Sequence, residues 1–239
     1  MISVLVPTHK RPKVIHRALT SLEAQTILPD EVIIIGNGMD KHEFAAYGID
    51  EDSYRNLNII MLNYPGFANL AQALQFGLAC VDTDADYVAV LEDDDEWRPE
   101  FVEKMSAALD ERPGIAMAYC DELELDYCGI EVDYTGHPET FTRDMLLQAN
   151  WIHFPVQMWR YKTLVSSGGF AAETSGAADW DIALRMSASG VCHVKEVLAV
   201  HHWLTDRFSD EPLNNCLDPD KMKAANMWID VRKQIGVYG

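Results

Sequence analysis

The chain has 239 residues, of which 48% are hydrophobic, and a formal net charge of −19. That size and apolar content allow a sizeable core and exclude an intrinsically disordered chain, while the charge argues against bulk nucleic acid or an anionic lipid surface as partner, because like charges repel over a Debye length of about 8–10 Å. No apolar run approaches the roughly 18 residues of a membrane span, and the opening MISVLVPTHKRP lacks a basic start and is too short in its apolar part for a signal peptide, so a cytoplasmic location is expected.

The first half alternates short apolar runs with helical patterns. Residues 2–6 predict a buried strand. Val14, Ile15, Ala18, Leu19 and Leu22 share one helical face, so a helix is expected over 12–25. Further strands are expected at 32–35, 57–62, 88–91 and 115–119, and helices at 68–79 and 99–109. Strands apolar on both faces with helices between them predict a mostly parallel, doubly wound α/β sheet. Ligands of such sheets bind beyond the carboxyl ends of the strands.

The second half is less regular. Residues 122–139 read as a polar hairpin or loop, 142–148 as a helix, and Gly168-Gly169-Phe170 as a turn. A helix is expected at 179–189, a strand at 194–201, and a closing helix at 218–235. No linker separates the halves, so one domain is expected over 1–239, with a ligand-binding region to about residue 120 and a second functional region after it. The five cysteines, Cys80, Cys120, Cys128, Cys192 and Cys216, are odd in number and include no CxxC, as expected of reduced thiols.

The stretch YVAVLEDDDEWRP carries the strongest chemical signal. Five carboxylates, Glu92 to Glu96, follow directly on an apolar strand. Two like charges 4 Å apart repel by about 4 kcal/mol at an effective dielectric of 20. Either these acids splay into water or a cation holds them. Mg²⁺ and Mn²⁺ prefer carboxylate oxygen, and Mg²⁺ is typically shared between one or two protein carboxylates and substrate phosphates. The nearby DTDADY has the spaced acids of a calcium loop, but Tyr87 stands where that loop needs glycine and an apolar strand follows.

Three stretches in order resemble glycosyltransferase family 2, whose members have the GT-A fold and invert the transferred centre. ISVLVPTHKRPKVIHRALTSLEAQTILPDEVIII is similar to the family's opening, YVAVLEDDDEWRPEFVEKM to its DxD motif, and GGFAAETSGAADWDIALRMSASG to its Gly-Gly-Phe turn and acidic helix start. The resemblance implies a nucleotide-diphosphate sugar donor, a saccharide or other hydroxyl acceptor, and Mn²⁺ or Mg²⁺. Pro7, Thr8, Arg11, Asn37, Asp93 and Asp94 would line the donor, Asp95 and Asp93 would reach the metal, His201 or His202 would complete that site with His202 the chosen ligand, and Asp179 would be the catalytic base.

The chain departs from the family's usual pattern at three places. The second strand ends Gly36-Asn37-Gly38-Met39 instead of Asp-Asp-Gly-Ser. Ala73-Leu74-Gln75-Phe76-Gly77 replaces Ala-Arg-Asn-x-Gly, and Ala178-Asp179 replaces Glu-Asp. Two other functions compete. A non-catalytic nucleotide-sugar or carbohydrate-binding protein on the same fold would suit the lost arginine, though not the retained Asp179. A metal-dependent nucleotidyltransferase would want a glycine-rich basic loop after the first strand, and PTHKRP has no glycine. Among the tryptophans, Trp180 between two aspartates is the best placed to stack on a sugar.

Overall fold

A computed structural model describes residues 1–11, 14–49, 53–64, 69–126, 128–133, 142–202, 219–234 and 236–238. Cys216 and Trp203, and the start expected for the first helix at Pro12, lie outside them. The other four cysteines are free thiols. No described helix is long and apolar enough to cross a membrane.

Strand β1 (Ile2–Thr8) is buried along its whole length and pairs in parallel with β2 (Glu31–Asn37) and β4 (Tyr87–Val90). An apolar strand with no polar face can be satisfied only at the middle of a covered sheet. Helix α1 (Ile15–Glu23) packs Ile15, Ala18, Leu19 and Leu22 inward, the spacing of a single helical stripe. Each buried leucine contributes about 1.5–3 kcal/mol. Just past α1, the buried Gln25 amide donates to Ser21 O and Arg98 O and accepts from Val102 N, which fixes where α4 (Phe101–Asp110) begins.

Helix α2 (Lys41–Ala46), unexpected from the sequence pattern, is started by a capping box between Asp40 and Glu43. Strand β3 (Ile59–Tyr64) extends the parallel set beside β2. Helix α3 (Leu70–Leu78) lies against β1 and β2 with so little clearance that a Cβ on Gly77 would stand 2.3 Å from Ile35 Cδ1. Leu74, at the position of the family's arginine, is fully buried.

Beyond β4 the sheet is mixed. The order is β3-β2-β1-β4-β8-β6-β9-β5, with β7 (Glu131–Asp133) pairing β6 (Met117–Leu125) as a hairpin partner. The strand expected at 115–119 is β6, and it does not adjoin β4. Strand β8 (Gln157–Arg160) inserts between them, antiparallel to both. Strand β9 (Val191–His202) runs parallel to β6, and the short β5 (Glu96–Trp97) runs antiparallel to β9. Since β4 and β6 both oppose β8, they point the same way, so the carboxyl ends of β1, β2, β4, β6 and β9 meet at one edge.

The second half completes this frame. Thr142 caps α5 (Arg143–Gln148), and α6 (Tyr161–Ser166) leads into the glycine turn, where Gly168 and Gly169 have φ of 99° and 65°. A Cβ on Gly169 would meet Gln75 Oε1 at 2.2 Å, and that oxygen accepts from Phe170 N at 2.7 Å. Gln75, one residue past the lost arginine, thereby pins the turn to α3. A 3₁₀ segment then runs into α7 (Ala178–Met186), and α8 (Pro219–Gln234) is the last helix.

Candidate active site

The acids that follow β4 separate into two groups with different counter-charges. Asp93 is fully buried. Thr8, the last residue of β1, donates its hydroxyl to Asp93 Oδ2 at 2.6 Å, and Arg11 Nη2 pairs with Oδ1. Arg11 Nη1 also donates to Asp94 Oδ2 at 2.6 Å. One guanidinium therefore clasps two neighbouring carboxylates. Burial works against the charge of Arg11, but Asp93, Asp94 and Glu92 outweigh it and hold the side chain firmly cationic. Burial pushes the Asp93 carboxyl up to about 7 against the pull of Arg11 and Thr8. The same desolvation, with Asp94 and Asp95 adding repulsion, drives Glu92 well above the usual carboxylate range.

Asp95 belongs to the second group. It is fully buried, its Oδ1 accepts from the backbone N–H of His202 at 3.1 Å, and the same oxygen lies 3.0 Å from His201 Nδ1. Its Oδ2 is buried with no hydrogen-bond partner among the described residues. Neighbouring side chains of a strand face opposite ways, so the His202 ring turns instead toward Glu96, 3.5 Å away. The imidazole brought to Asp95 is thus that of His201, while His202 contributes its main chain. Burial opposes a charge on His201, yet Asp95 prevails and its pKa rises to about 10.

The base candidate sits at the start of α7. Asn150 Nδ2 donates to Asp179 Oδ2 at 2.8 Å, and Trp180 N donates to Oδ1 at 2.8 Å. Burial raises the Asp179 pKa, with His153 and Asn150 pulling the other way. His153 Nδ1 lies 2.7 Å from Glu122 Oε1, and its ring is 6.1 Å from that of His201. Burial disfavours the His153 cation, but the hydrogen bond and charge of Glu122 dominate and lift its pKa to about 9. Asn150, His153, Glu122 and Glu124 escaped the sequence pattern. Each is an isolated residue, and only the parallel alignment of β4, β6 and β9 brings them to one edge.

Pro7, buried in β1, pairs with Ile35, and Asn37 is the buried last residue of β2, its carbonyl accepting from His9 Nδ1 at 2.6 Å. These two stand at the β1–β2 end of the edge, with Thr8, Arg11, Asp93 and Asp94 forming the adjoining cluster. Trp180 is a core residue rather than a sugar platform. It is 8% exposed, donates Nε1 to Leu146 O at 2.6 Å, and lies under Lys233. Trp159 is likewise buried.

The donors fit a hard or borderline divalent cation at Asp95. Its partnerless buried oxygen, beside an imidazole and several crowded carboxylates, is a costly arrangement unless a positive charge answers it. Both Asp93 oxygens, in contrast, are already occupied by Thr8 and Arg11.

The sequence model of Glycosyl transferase family 2 matches residues 3–161. The chain is 26% identical over 202 residues to the O-antigen biosynthesis protein RfbC of Myxococcus xanthus, covering 83% of this chain and 15% of that protein. It is 24% identical over 191 residues to an uncharacterized glycosyltransferase of Haemophilus influenzae, covering 78% and 62%. It therefore spans less than two thirds of either relative. Among solved structures, S. aureus TarS 1-349 in complex with UDP-GlcNAc superimposes with a TM-score of 0.74 at 17% identity, over 96% of this chain and 65% of that one. The mannosyltransferase PcManGT of Pyrobaculum calidifontis, in complex with GDP-Man and Mn²⁺, gives 0.64 at 18% identity, over 84% and 56%. The mixed sheet with its flanking helices is the GT-A fold.

Proposed function

Because the chain belongs to glycosyl transferase family 2, we propose that it is an inverting enzyme that moves a sugar from a nucleoside-diphosphate donor to an acceptor hydroxyl, with Asp179 as general base. The observation that carries this reading is the position of Asp179. A half-buried carboxylate held by Asn150 stands at the same sheet edge as the Thr8–Asp93–Arg11 cluster and the Asp95–His201 pair. A binding protein would have no use for an oriented, desolvated base.

Each group then has a task. Pro7, the residue before the last of β1, and Asn37, the last residue of β2, stand where these two strands flank the nucleotide cleft. Thr8 and Arg11 hold Asp93 and Asp94 in place beside the donor's ribose and the metal. Asp95, with His201, is the direct metal ligand, in preference to Asp93 with His202. A bound Mn²⁺ or Mg²⁺ would neutralise the diphosphate leaving group. Asp179 takes the acceptor proton as the hydroxyl attacks the anomeric carbon from the face opposite the diphosphate.

The test is thermal denaturation with nucleoside diphosphates and their sugars, with and without Mn²⁺, since a ligand that binds only the native state raises stability, by about 2.7 kcal/mol at a concentration of 100 Kd. A rise in Tm with UDP or GDP that EDTA removes is the expected result. Equal shifts in EDTA would refute the metal assignment, and no shift with any nucleotide would refute the donor. In the same assay Asn37→Asp is expected to move nucleotide preference toward uridine. Unchanged relative affinities for UDP, dTDP, GDP and CDP would remove Asn37 from the base pocket.

A further inference from the structure

The face of β6 that continues past the core carries two carboxylates at alternate positions, Glu122 and Glu124. The β6–β9 register shifts on either side of Asp121 and then sets Glu124 beside His201. Irregularities of this kind re-aim side chains at sheet ends. His153, entering the 3₁₀ turn before β8, reaches the same place. One potential ligand atom from each of Glu122, Glu124 and His153 falls within 4.8 Å of the others. This group adjoins Asp95 through His201, whose ring is 6.1 Å from the ring of His153.

We propose that His153 and Glu124 ligate the same cation that Asp95 and His201 approach, so that the metal is clasped from β6 as well as from the end of β4. The inference rests on the metal-dependent reading above and extends it to residues outside the acidic motif. Three features support it. Asp95 Oδ2 is a fully buried oxygen with no partner among the described residues, an acceptor in want of a positive charge. The Glu122–His153 pair has the form of a carboxylate that orients a metal-binding imidazole through one ring nitrogen and leaves the other to the metal. The ring separation is also suitable. Two metal–nitrogen bonds of about 2.1 Å plus two ring radii of about 1.2 Å span at most about 6.6 Å, so one ion can reach a nitrogen of both rings.

A shell with two imidazoles and two carboxylates has a stated preference. Mg²⁺ favours oxygen and keeps its waters, whereas imidazole suits the transition metals, so Mn²⁺ or Zn²⁺ should bind more tightly than Mg²⁺. The test is calorimetric titration of the whole chain with MnCl₂, ZnCl₂ and MgCl₂, without nucleotide. The expected result is at least tenfold tighter binding of Mn²⁺ than of Mg²⁺. His153→Ala and Glu124→Gln should each weaken Mn²⁺ binding tenfold or more, and His193→Ala, which alters a histidine paired with Asp121 outside the group, should leave it unchanged. Where His153→Ala does not fold, His153→Gln takes its place, with thermal melting as the check. Wild-type Mn²⁺ affinity in folded His153 and Glu124 variants would overturn this inference and leave Asp95–His201 standing. Absence of metal binding by the native chain, with UDP or GDP present as well, would overturn both it and the metal-dependent reading.

Discussion

Asp179→Asn is expected to bind donor as the native chain does and to transfer sugar about 10²–10⁴-fold more slowly, the usual range for loss of general-base catalysis. The substitution is close to isosteric. Asn150 Nδ2 and the Trp180 N–H donate to different oxygens of Asp179, so the asparagine oxygen keeps one of these two hydrogen bonds and gives up the other. What disappears is the ability to take a proton. Donor affinity should survive because Asp179 makes no hydrogen bond or ion pair with Thr8, Arg11 or Asp93. The pH profile provides a second reading of the same residue. Burial raises the Asp179 pKa, and a base works only when ionised. Transfer by the native chain should therefore fall as pH drops through a midpoint above the ordinary aspartate value of about 3.9. That acid limb should be missing from the residual activity of the variant. Near-native turnover by Asp179→Asn, with donor and acceptor both saturating, would place the base elsewhere.

Much of this arrangement is legible in the sequence because it follows from short-range rules. Unbroken apolar strands with amphipathic helices between them specify the parallel half of the sheet, and an acidic run straight after a strand puts charge at the ligand edge. The legible part ends where long-range pairing decides. Four residues, Gln157–Arg160, are too few to announce the antiparallel strand that separates β4 from β6. The end of β6 carries Asp121, Glu122 and Glu124, so it reads as polar loop, although it is a strand that turns Glu122 and Glu124 toward the site while Asp121 pairs with His193. Adjacent residues of a strand point to opposite faces, and nothing local says which of His201 and His202 looks toward Asp95. The pairing of Glu96 with Val200 sets that register. The capping box of α2 is the one missed element with a clear local signature, Asp-x-x-Glu at 40–43.

Asp181, two residues beyond the base, should be as important to stability as Asp179 is to rate. Its carboxylate is fully buried and carries three partners. Arg185 donates to Oδ2 through Nη2 at 2.6 Å and Nε at 3.0 Å, Tyr238 Oη donates to Oδ1 at 2.7 Å, and Arg232 Nη1 lies 3.3 Å from Oδ1. Arg185 also donates to the carbonyls of Ser167 and Gly169. The carboxylate therefore links α7 to α8, to Tyr238 and, through Arg185, to the glycine turn that Gln75 anchors. Removing one partner of a buried ion pair costs about 3–5 kcal/mol, because the other charge remains in the interior without an answer. Asp181→Ala leaves the Arg185 guanidinium in that state and deprives the Tyr238 hydroxyl of its acceptor. At about 2–4 °C per kcal/mol for a domain of 150–250 residues, the melting temperature should drop by about 6–20 °C. Asp181→Asn keeps an acceptor for Tyr238 but not the charge, and should fall between the native chain and the alanine variant. Residues two apart on a helix face different ways, so the folded fraction of Asp181→Asn should transfer sugar at a rate near that of the native chain, the reverse of Asp179→Asn. Thermal melts and single-turnover rates of the two asparagine variants, measured side by side, test the division. Equal losses of stability and rate in both would mean that the two aspartates form one unit and that the separation of roles is wrong.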